Sequence, residues 1–194
     1  KGRRRRGHGA MRKLRAVLSF GVEQRYPGCG PAREILSLIR FQLPPVRDIR
    51  LEYEHAVAVC DKAIEMGYPS IALTQALQWD TALRRIHIIG EWLPLEDGDE
   101  GGIVRGRTKW RGPTVADISA EQIFKPPYES DRKVATSHDL SVCPLVQKVL
   151  TKMTLPKMGP LIVSEDSGVP WRDNYYSRKW REIAKAAGVP AEVR

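Results

Sequence analysis

The feature that most constrains the fold is the helical hydrophobic periodicity that runs from Glu52 to Gly90. In "EYEHAVAVCDKAIEMG" the residues Ala56, Val59, Cys60 and Ala63 recur at helical spacing, and the closing glycine is typical of a helix C-cap. The next stretch, "YPSIALTQALQWDTALRRIHIIG", begins with a serine N-cap and is predicted to be helical as far as its final glycine. Two successive helices with apolar faces predict a mainly helical core.

A second, smaller helical part is predicted ahead of this core. "AMRKLRAVLSFGVEQ" places Leu14, Val17 and Leu18 on one face, and "PAREILSLIRFQ" starts a second helix with a proline. The prolines of "LPPVRDIR" end that helix and indicate an extended linker. The predicted division is therefore residues 1–45, a basic arm with two helices, and residues 46–194. The arm, "KGRRRRGHGA", cannot bury a core and is expected to be mobile.

Short β-branched segments predict a small antiparallel sheet after the core helices. These segments are "PTVADIS", "QIFK" and "KVATSHDL", and an acidic, glycine-rich loop at 96–106 precedes them. "DLSVCPLVQKVLTKM" then predicts a helix, "GPLIVSEDSGVPW" a short strand and a turn, and "DNYYSRKWREIAKAAG" a last helix. The predicted fold class is mainly α with a small antiparallel β-sheet (α+β).

The charge of the chain favours a polyanionic partner. Its 194 residues carry a formal net charge of +9, which favours nucleic acid ahead of an acidic membrane surface. No apolar run approaches the ~20 residues of a membrane span, and no apolar segment follows the basic start, so a cytoplasmic protein without a membrane partner is expected.

The cysteines and glycines predict neither a metal site nor a cofactor. Cys29, Cys60 and Cys143 are odd in number and lack ligand-like spacing, which argues against a disulfide framework and against zinc. The glycine patterns of common phosphate-binding and dinucleotide-binding loops are missing from the sequence. The sequence therefore predicts no metal and no cofactor.

The stretch "TALRRIHIIGEW" contains two adjacent arginines that need an explanation. On a continuous helix, at ~100° per residue, Arg84 lies ~20° from both Leu73 and Leu77, so its side chain is predicted to project from the apolar face. Arg85 is predicted to reach solvent. His87, three residues after Arg84, is its neighbour on the helix surface. A half-buried arginine needs an anion, and a protein carboxylate and a bound phosphate both remain open.

Several segments together resemble the tyrosine recombinases, or phage integrases. "LTQALQWDTALRRIHIIGEW" resembles the first conserved box of a bacterial branch with the pattern G-L-R-x-x-D-x-I-G-E-W. "KWRGPTVADIS", "SHDLSVCPLV" and "YYSRKWREIAKAAGVP" resemble later segments in the order of the family, over residues 51–194. Residues 10–42 resemble the end of the helical core-binding domain. Each motif alone is common, but their order and spacing are specific.

The resemblance implies a tyrosine-recombinase catalytic-domain-like fold for residues 46–194. It also implies DNA integration and site-specific recombination through a covalent phosphotyrosine, in which arginines hold the scissile phosphate. Arg84 matches the first of these arginines, and His87 stands where the family has an acidic residue that supports it. The family's general-acid lysine aligns with Asp131, so Lys133 is the candidate replacement and Lys125 the alternative.

The chain departs from the family at its chemistry. It ends at Arg194, before the box with the second arginine and before the tyrosine nucleophile. Tyr175 and Tyr176 precede a helix that resembles a different part of the family. We therefore expect the chain as given to be incomplete for catalysis. A non-enzymatic DNA-binding remnant or regulator, and a basic helical RNA-binding protein, are the alternatives.

Basic residues outside this box are candidates for contacts with the phosphate backbone of double-stranded DNA. The expected setting is the bacterial cytoplasm, in association with the nucleoid, and copies of the chain or a full-length recombinase on the same DNA are possible partners. Steep weakening of binding with salt is expected, because each phosphate contact releases counterions. The candidate DNA-binding residues are Arg3, Arg4, Arg5, Arg6, Lys13, Arg85, Arg178 and Lys179.

Overall fold

The structure is a computed structural model, and it describes residues 2–39, 49–96, 102–127 and 137–193. The contacts divide the chain into two compact units, Lys1–Asp48 and Ile49–Arg194. Within these described ranges, no helix combines the length and the apolar character needed to cross a membrane.

The first unit consists of helix α1 (Gly2–Glu23) and helix α2 (Cys29–Leu38). The guanidinium of Arg15 donates hydrogen bonds to the backbone oxygens of Leu36 and Ile39, at 3.2 and 2.8 Å, and so satisfies carbonyls at the end of α2. The prediction of a mobile basic arm was wrong for residues 2–10, because α1 includes them. Arginine is a good helix former, so the helix extends through this segment.

The apolar faces of α1 and α2 are covered less than their periodicity predicts. Leu14 remains 44% exposed, and Val17 is 64% exposed. Leu36 is the buried residue of α2. Two short helices offer each other little apolar surface, so this unit has a small core.

The second unit is built around helix α4 (Pro69–Thr81), in which Ser70 through Leu77 are all buried. Helix α3 (Tyr53–Glu65) and helix α6 (Pro144–Leu150) pack against α4, and helix α7 (Asp173–Ala186) packs against α3. The predicted helical core is therefore present, and α4 lies at its centre.

Two small antiparallel sheets complete the second unit, so the mixed α+β class is confirmed. The first sheet contains β1 (Glu91–Pro94), β2 (Val104–Arg105) and β3 (Thr108–Arg111) in the order β1-β3-β2. The second pairs β4 (Ile123–Phe124) with β5 (His138–Asp139).

Two of the predicted strands do not form. The segment "PTVADIS" contains a 3-10 turn at Val115–Asp117, stabilised by the carboxylate of Asp117, which accepts hydrogen bonds from the backbone and hydroxyl of Thr114. "GPLIVSEDSGVPW" contributes a single bridge, Thr114 to Pro160. The three-stranded sheet instead comes from residues 91–111, where the sequence predicted a loop at 96–106.

Helix α4 ends at Thr81, and the prediction that it continues to Gly90 was wrong. Ala82 has φ 54 and ψ 18, a left-handed conformation that interrupts the helix. The hydroxyl of Thr81 donates to the backbone oxygen of Leu77 at 2.5 Å and accepts from the backbone nitrogen of Leu83 at 3.3 Å. A separate short helix, α5 (Ile86–Ile89), then leads into β1.

Candidate functional site

Arg84 lies in the segment between α4 and α5, and its side chain is exposed. The prediction that it projects from the apolar face was wrong, because the break at Ala82 removes the helical phase that connected it to Leu73 and Leu77. Its guanidinium makes no hydrogen bond or ion pair with any residue that the structure describes. Among the residues that the structure describes, Arg84 is thus an exposed cation without an ion-pair partner.

Arg85 is the half-buried arginine with a neighbouring anion, a position that the sequence predicted for Arg84. Its Nη2 lies 2.5 Å from Oδ1 of Asp173, the first residue of α7, and its guanidinium carbon is 5.4 Å from the ring centroid of Tyr176. One-third of the side chain is exposed, and Nε is buried without a hydrogen-bond partner in the described part of the chain. Arg85 therefore connects the segment that carries Arg84 to α7; it reaches solvent as predicted, but the ion pair with Asp173 was not predicted.

His87 follows on α5 and shares its surroundings with Arg84. Its backbone nitrogen donates to the backbone oxygen of Arg84 at 2.8 Å. Partial burial and the neighbouring Arg84 lower the pKa of His87, while Glu91 raises it. The net direction is downward, so the imidazole is neutral at pH 7 and cannot replace a carboxylate as the counter-ion of Arg84.

The turn from α5 into β1 is held by close packing around Trp110. The Trp110 indole nitrogen donates to the backbone oxygen of Ile89 at 3.1 Å. Gly90 has φ 76 and ψ −171, a conformation essentially limited to glycine, and the Cα of Gly90 and the backbone of Gly112 lie against the indole ring. This contact fixes α5, and with it the Arg84 segment, to the three-stranded sheet.

The sheet and the start of α7 are joined by Arg172 and Trp92. Arg172 donates from Nη2 to the hydroxyl of Thr108 at 3.0 Å, and its guanidinium lies 4.9 Å from the ring of Trp92. The Trp92 indole nitrogen donates to the backbone oxygen of Pro170 at 3.3 Å. The Arg84 segment, the sheet and α7 therefore belong to one connected structure.

The exposed side of α7 is basic. Arg178, Arg181 and Lys185 are exposed, and helical spacing places them within ~60° of one another. Lys179 lies to one side, where it pairs with Glu182 at 3.0 Å and approaches the ring of Tyr68 at 4.6 Å. The opposite side of α7 is buried, with Tyr176, Ile183 and Ala184 in the core.

The two tyrosines at the start of α7 have different environments. Tyr176 is 1% exposed, and burial raises the pKa of its hydroxyl well above the usual range. A buried, protonated hydroxyl is a poor nucleophile. Tyr175 is exposed, and the guanidinium of Arg178 lies 5.1 Å from its ring.

The remaining predicted residues lie on other elements or outside the described residues. Lys133 lies outside the described residues, and exposed Lys125 follows β4, with its backbone nitrogen bonded to the oxygen of Asp117. Arg6 and Lys13 are exposed on α1 in the other unit. The side chains of Arg3, Arg4 and Arg5 are likewise outside the description, although their backbone is part of α1.

Neither the cysteines nor the acidic residues form a metal site in the ranges that the structure describes. Burial raises the pKa of the Cys60 thiol to about 12, and the thiol donates to the backbone oxygen of Ala72 at 3.4 Å. Burial also raises the pKa of Cys143. Both groups are protonated core thiols at neutral pH.

The sequence did not predict the contacts of Asp173, Arg172 and Trp92, the residues whose interactions fix this site. Asp173 is an acidic residue in the first turn of α7, a common position that gives no hint of a partner 88 positions earlier in the chain. Trp92 was assigned no role, and its contact with Arg172 depends on a sheet that the sequence did not predict at 91–94. Long-range pairs of this kind leave no local pattern.

Comparisons with known proteins found no match that assigns a function to this site. No protein-family model matches the chain, and no curated protein or solved structure is significantly similar to it. Arg84 at the surface, the Arg85 anchor and the basic side of α7 are the observations from which a function has to be argued.

Proposed function

We propose that the chain is a DNA-binding protein of the tyrosine recombinase family, which holds the phosphate backbone of double-stranded DNA at Arg84 and along α7. The observation that carries the proposal is Arg84 itself, an exposed guanidinium with no partner among the described residues, on a segment held in place by Arg85. The planar guanidinium presents several N–H donors in a geometry that matches phosphate, and the anchored segment keeps its backbone at a defined place on the surface. The motif resemblance places the family's phosphate-clamping arginine at the same residue.

The basic side of α7 supports a duplex rather than a single anion. Arg178 and Lys185 are seven residues apart, which is ~10 Å along a helix. Double-stranded DNA carries a negative charge every ~1.7 Å of its axis, so a stripe of this length faces several phosphates. The formal net charge of +9 adds a long-range attraction of the same sign.

The proposal concerns binding and does not include strand breakage by the described tyrosines. The family reaction needs a tyrosine hydroxyl beside the clamped phosphate, and Tyr176 is buried with a raised pKa. A role in DNA integration, with Lys133 as general acid, stays a prediction from the resemblance. Binding alone suits a protein that occupies recombination sites or pairs on DNA with a complete recombinase.

The first prediction compares Arg84→Ala with Arg50→Ala by fluorescence anisotropy on a labelled duplex over a series of salt concentrations. Arg50 is also an exposed arginine of the second unit, so both variants lose the same charge. We expect Arg84→Ala to bind about tenfold more weakly, a loss of ~1.4 kcal/mol, and its log-log salt slope to become less negative by about 0.9. Arg50→Ala should stay within twofold of the parent chain.

Equal losses in the two variants would mean that only net charge matters and would contradict the clamp at Arg84. Tighter binding of a duplex RNA of the same length than of the DNA would favour the RNA-binding alternative. A nicked DNA suicide substrate tests for strand breakage. A covalent protein–DNA adduct that forms with the parent chain and disappears in Tyr175→Phe would show that this chain cleaves DNA.

A further inference from the structure

A basic groove lies beside α7; its lining does not include Arg84 but shares Arg178 with the basic side of that helix. It has a volume of about 640 Å³ and lies between the turn at 164–170, the strand β2 and the first two turns of α7. Its polar and charged lining is Arg105, Ser164, Asp166, Ser167, Arg172, Asn174, Tyr175, Arg178 and Lys179. Four cations therefore face one carboxylate across a concave surface.

Most of these cations are oriented by contacts with neighbouring aromatic rings. Arg172 is held by the hydroxyl of Thr108 and the ring of Trp92. Arg178 lies over Tyr175, at 5.1 Å from its centroid. Such contacts fix the planes of the side chains and leave N–H groups to donate to a ligand.

The wall of the groove formed by the turn is anchored to the core. The carboxylate of Glu165 accepts hydrogen bonds from the backbone and the hydroxyl of Ser70, both at 2.7 Å, and the Trp171 indole nitrogen donates to the same hydroxyl at 2.9 Å. Asp166 accepts from the hydroxyl of Tyr68 at 2.9 Å. Both carboxylates of the turn thus accept hydrogen bonds from the α4 side, and the four cations of the lining outnumber the one carboxylate, Asp166.

We propose that this groove is a phosphate-binding site, separate from Arg84, that takes a phosphate group protruding from its carrier. The concave shape of the groove favours a protruding phosphate group over a smooth backbone. A smooth duplex backbone suits the exposed stripe on α7, whereas a recess lined by Arg105, Arg172 and Lys179 surrounds an anion from several sides. The carrier is either a nucleic acid strand or a small phosphorylated molecule, and with a nucleic acid the site rests on the proposed function.

The test uses the full chain, labelled with ¹⁵N, and follows the amides of Ser164, Ser167 and Gly168 by NMR. Inorganic phosphate, a hexathymidylate with a 5′-phosphate and the same oligonucleotide with a 5′-hydroxyl are titrated in turn. The groove variant is Arg105→Gln with Arg178→Gln, two exposed positions that can be changed without disturbing the core. The matched control is Arg33→Gln with Arg50→Gln, which removes the same charge from exposed residues outside the groove lining.

We expect phosphate to shift these amides, and the groove variant to raise the apparent Kd at least tenfold, while the control variant stays within twofold. A 5′-phosphorylated oligonucleotide that binds much more tightly than phosphate identifies a nucleic acid strand as the carrier. Equal affinities identify a small phosphorylated molecule. Unshifted groove amides, or the same loss in both variants, would overturn the proposal.

Different experimental results would contradict the phosphate-binding groove and the proposed DNA binding. If only the groove is wrong, duplex binding still depends on Arg84 and the amides of the 164–170 turn do not respond to phosphate. If only the DNA proposal is wrong, phosphate still shifts these amides and Arg84→Ala leaves duplex affinity unchanged.

Discussion

Arg84 and Arg85 have opposite environments because a single residue before them, Ala82, leaves the helical conformation. With φ 54 at Ala82, the chain turns so that Arg84 faces solvent and Arg85 contacts Asp173 and Tyr176. Alanine is the best helix former, so local propensity argued for a continuous helix. The tyrosine-recombinase pattern G-L-R, which this stretch resembles, has a glycine at this position, and that glycine was the one sequence signal for a left-handed residue.

The second prediction is that the two arginines contribute differently to the free energy of unfolding. Arg85→Ala should lower the free energy of unfolding by about 1–2 kcal/mol, because it removes a cation–π contact with a buried ring and a partly exposed ion pair. Asp173 is 74% exposed, so screening limits the share of the ion pair. Arg84→Ala should change stability by less than about 0.5 kcal/mol, as expected for an exposed side chain.

Urea unfolding of both variants, followed by circular dichroism, measures these differences. Arg85→Lys is the informative third variant, since lysine keeps the charge but lacks the planar group that stacks on Tyr176. An Arg84→Ala variant as unstable as Arg85→Ala would show that the assignment of anchor and exposed cation is wrong.

The junction of α5 and β1 depends on the close approach of Gly90 and Gly112 to Trp110. A Cβ added at Gly90 would lie 2.5 Å from the Trp110 indole nitrogen and 2.6 Å from the backbone oxygen of Arg111. The third prediction is that Gly90→Ala lowers the free energy of unfolding by about 3 kcal/mol or more, from backbone strain together with overpacking. Gly106→Ala is the control, because Gly106 also has a positive φ of 61 but nothing within 4 Å of an added Cβ.

We expect the control to cost about 1–2 kcal/mol, the ordinary penalty for a left-handed alanine. Unfolding curves of the two variants, measured side by side, separate strain from crowding. Similar losses in both would mean that the contact with Trp110 does not constrain this junction.

Helices with a long hydrophobic periodicity were predicted correctly from the sequence. Strands whose position depends on long-range pairing were misplaced. Helices α3 and α7 follow their apolar stripes, because each buries one face against the core. The strands β1, β2 and β3 are two to four residues long, too short to show alternation. Trp110 and the glycines that pack on it create this sheet, and such long-range contacts cannot be read from a local window.

The two units of the chain differ in how much apolar surface they bury. The described core lies in the second unit, around α4, whereas α1 and α2 leave Leu14, Val17 and Ile35 exposed. The fourth prediction is that amides in the middle of α4 exchange hydrogen at least about 100-fold more slowly than those of α1, because local opening is easier where few apolar contacts are lost.

Hydrogen exchange of the full chain, read by mass spectrometry of peptides from each helix, measures this ratio. Addition of duplex DNA provides an internal comparison, because bound DNA should protect α1 only if its basic residues, among them Arg6 and Lys13, take part in binding. Equal protection of α1 and α4 without DNA would contradict the difference in stability.

The bond between Arg85 and Asp173 has a consequence for selectivity. It joins the backbone segment that presents Arg84 to the first residue of α7, so the two elements that carry the proposed phosphate contacts are directly linked. Contacts with phosphate position a protein on a nucleic acid but carry no base sequence. On the proposed function, this surface recognises the shape of the nucleic acid backbone. It distinguishes nucleic acid double helices by groove width and strand curvature, and it makes no base-specific contacts.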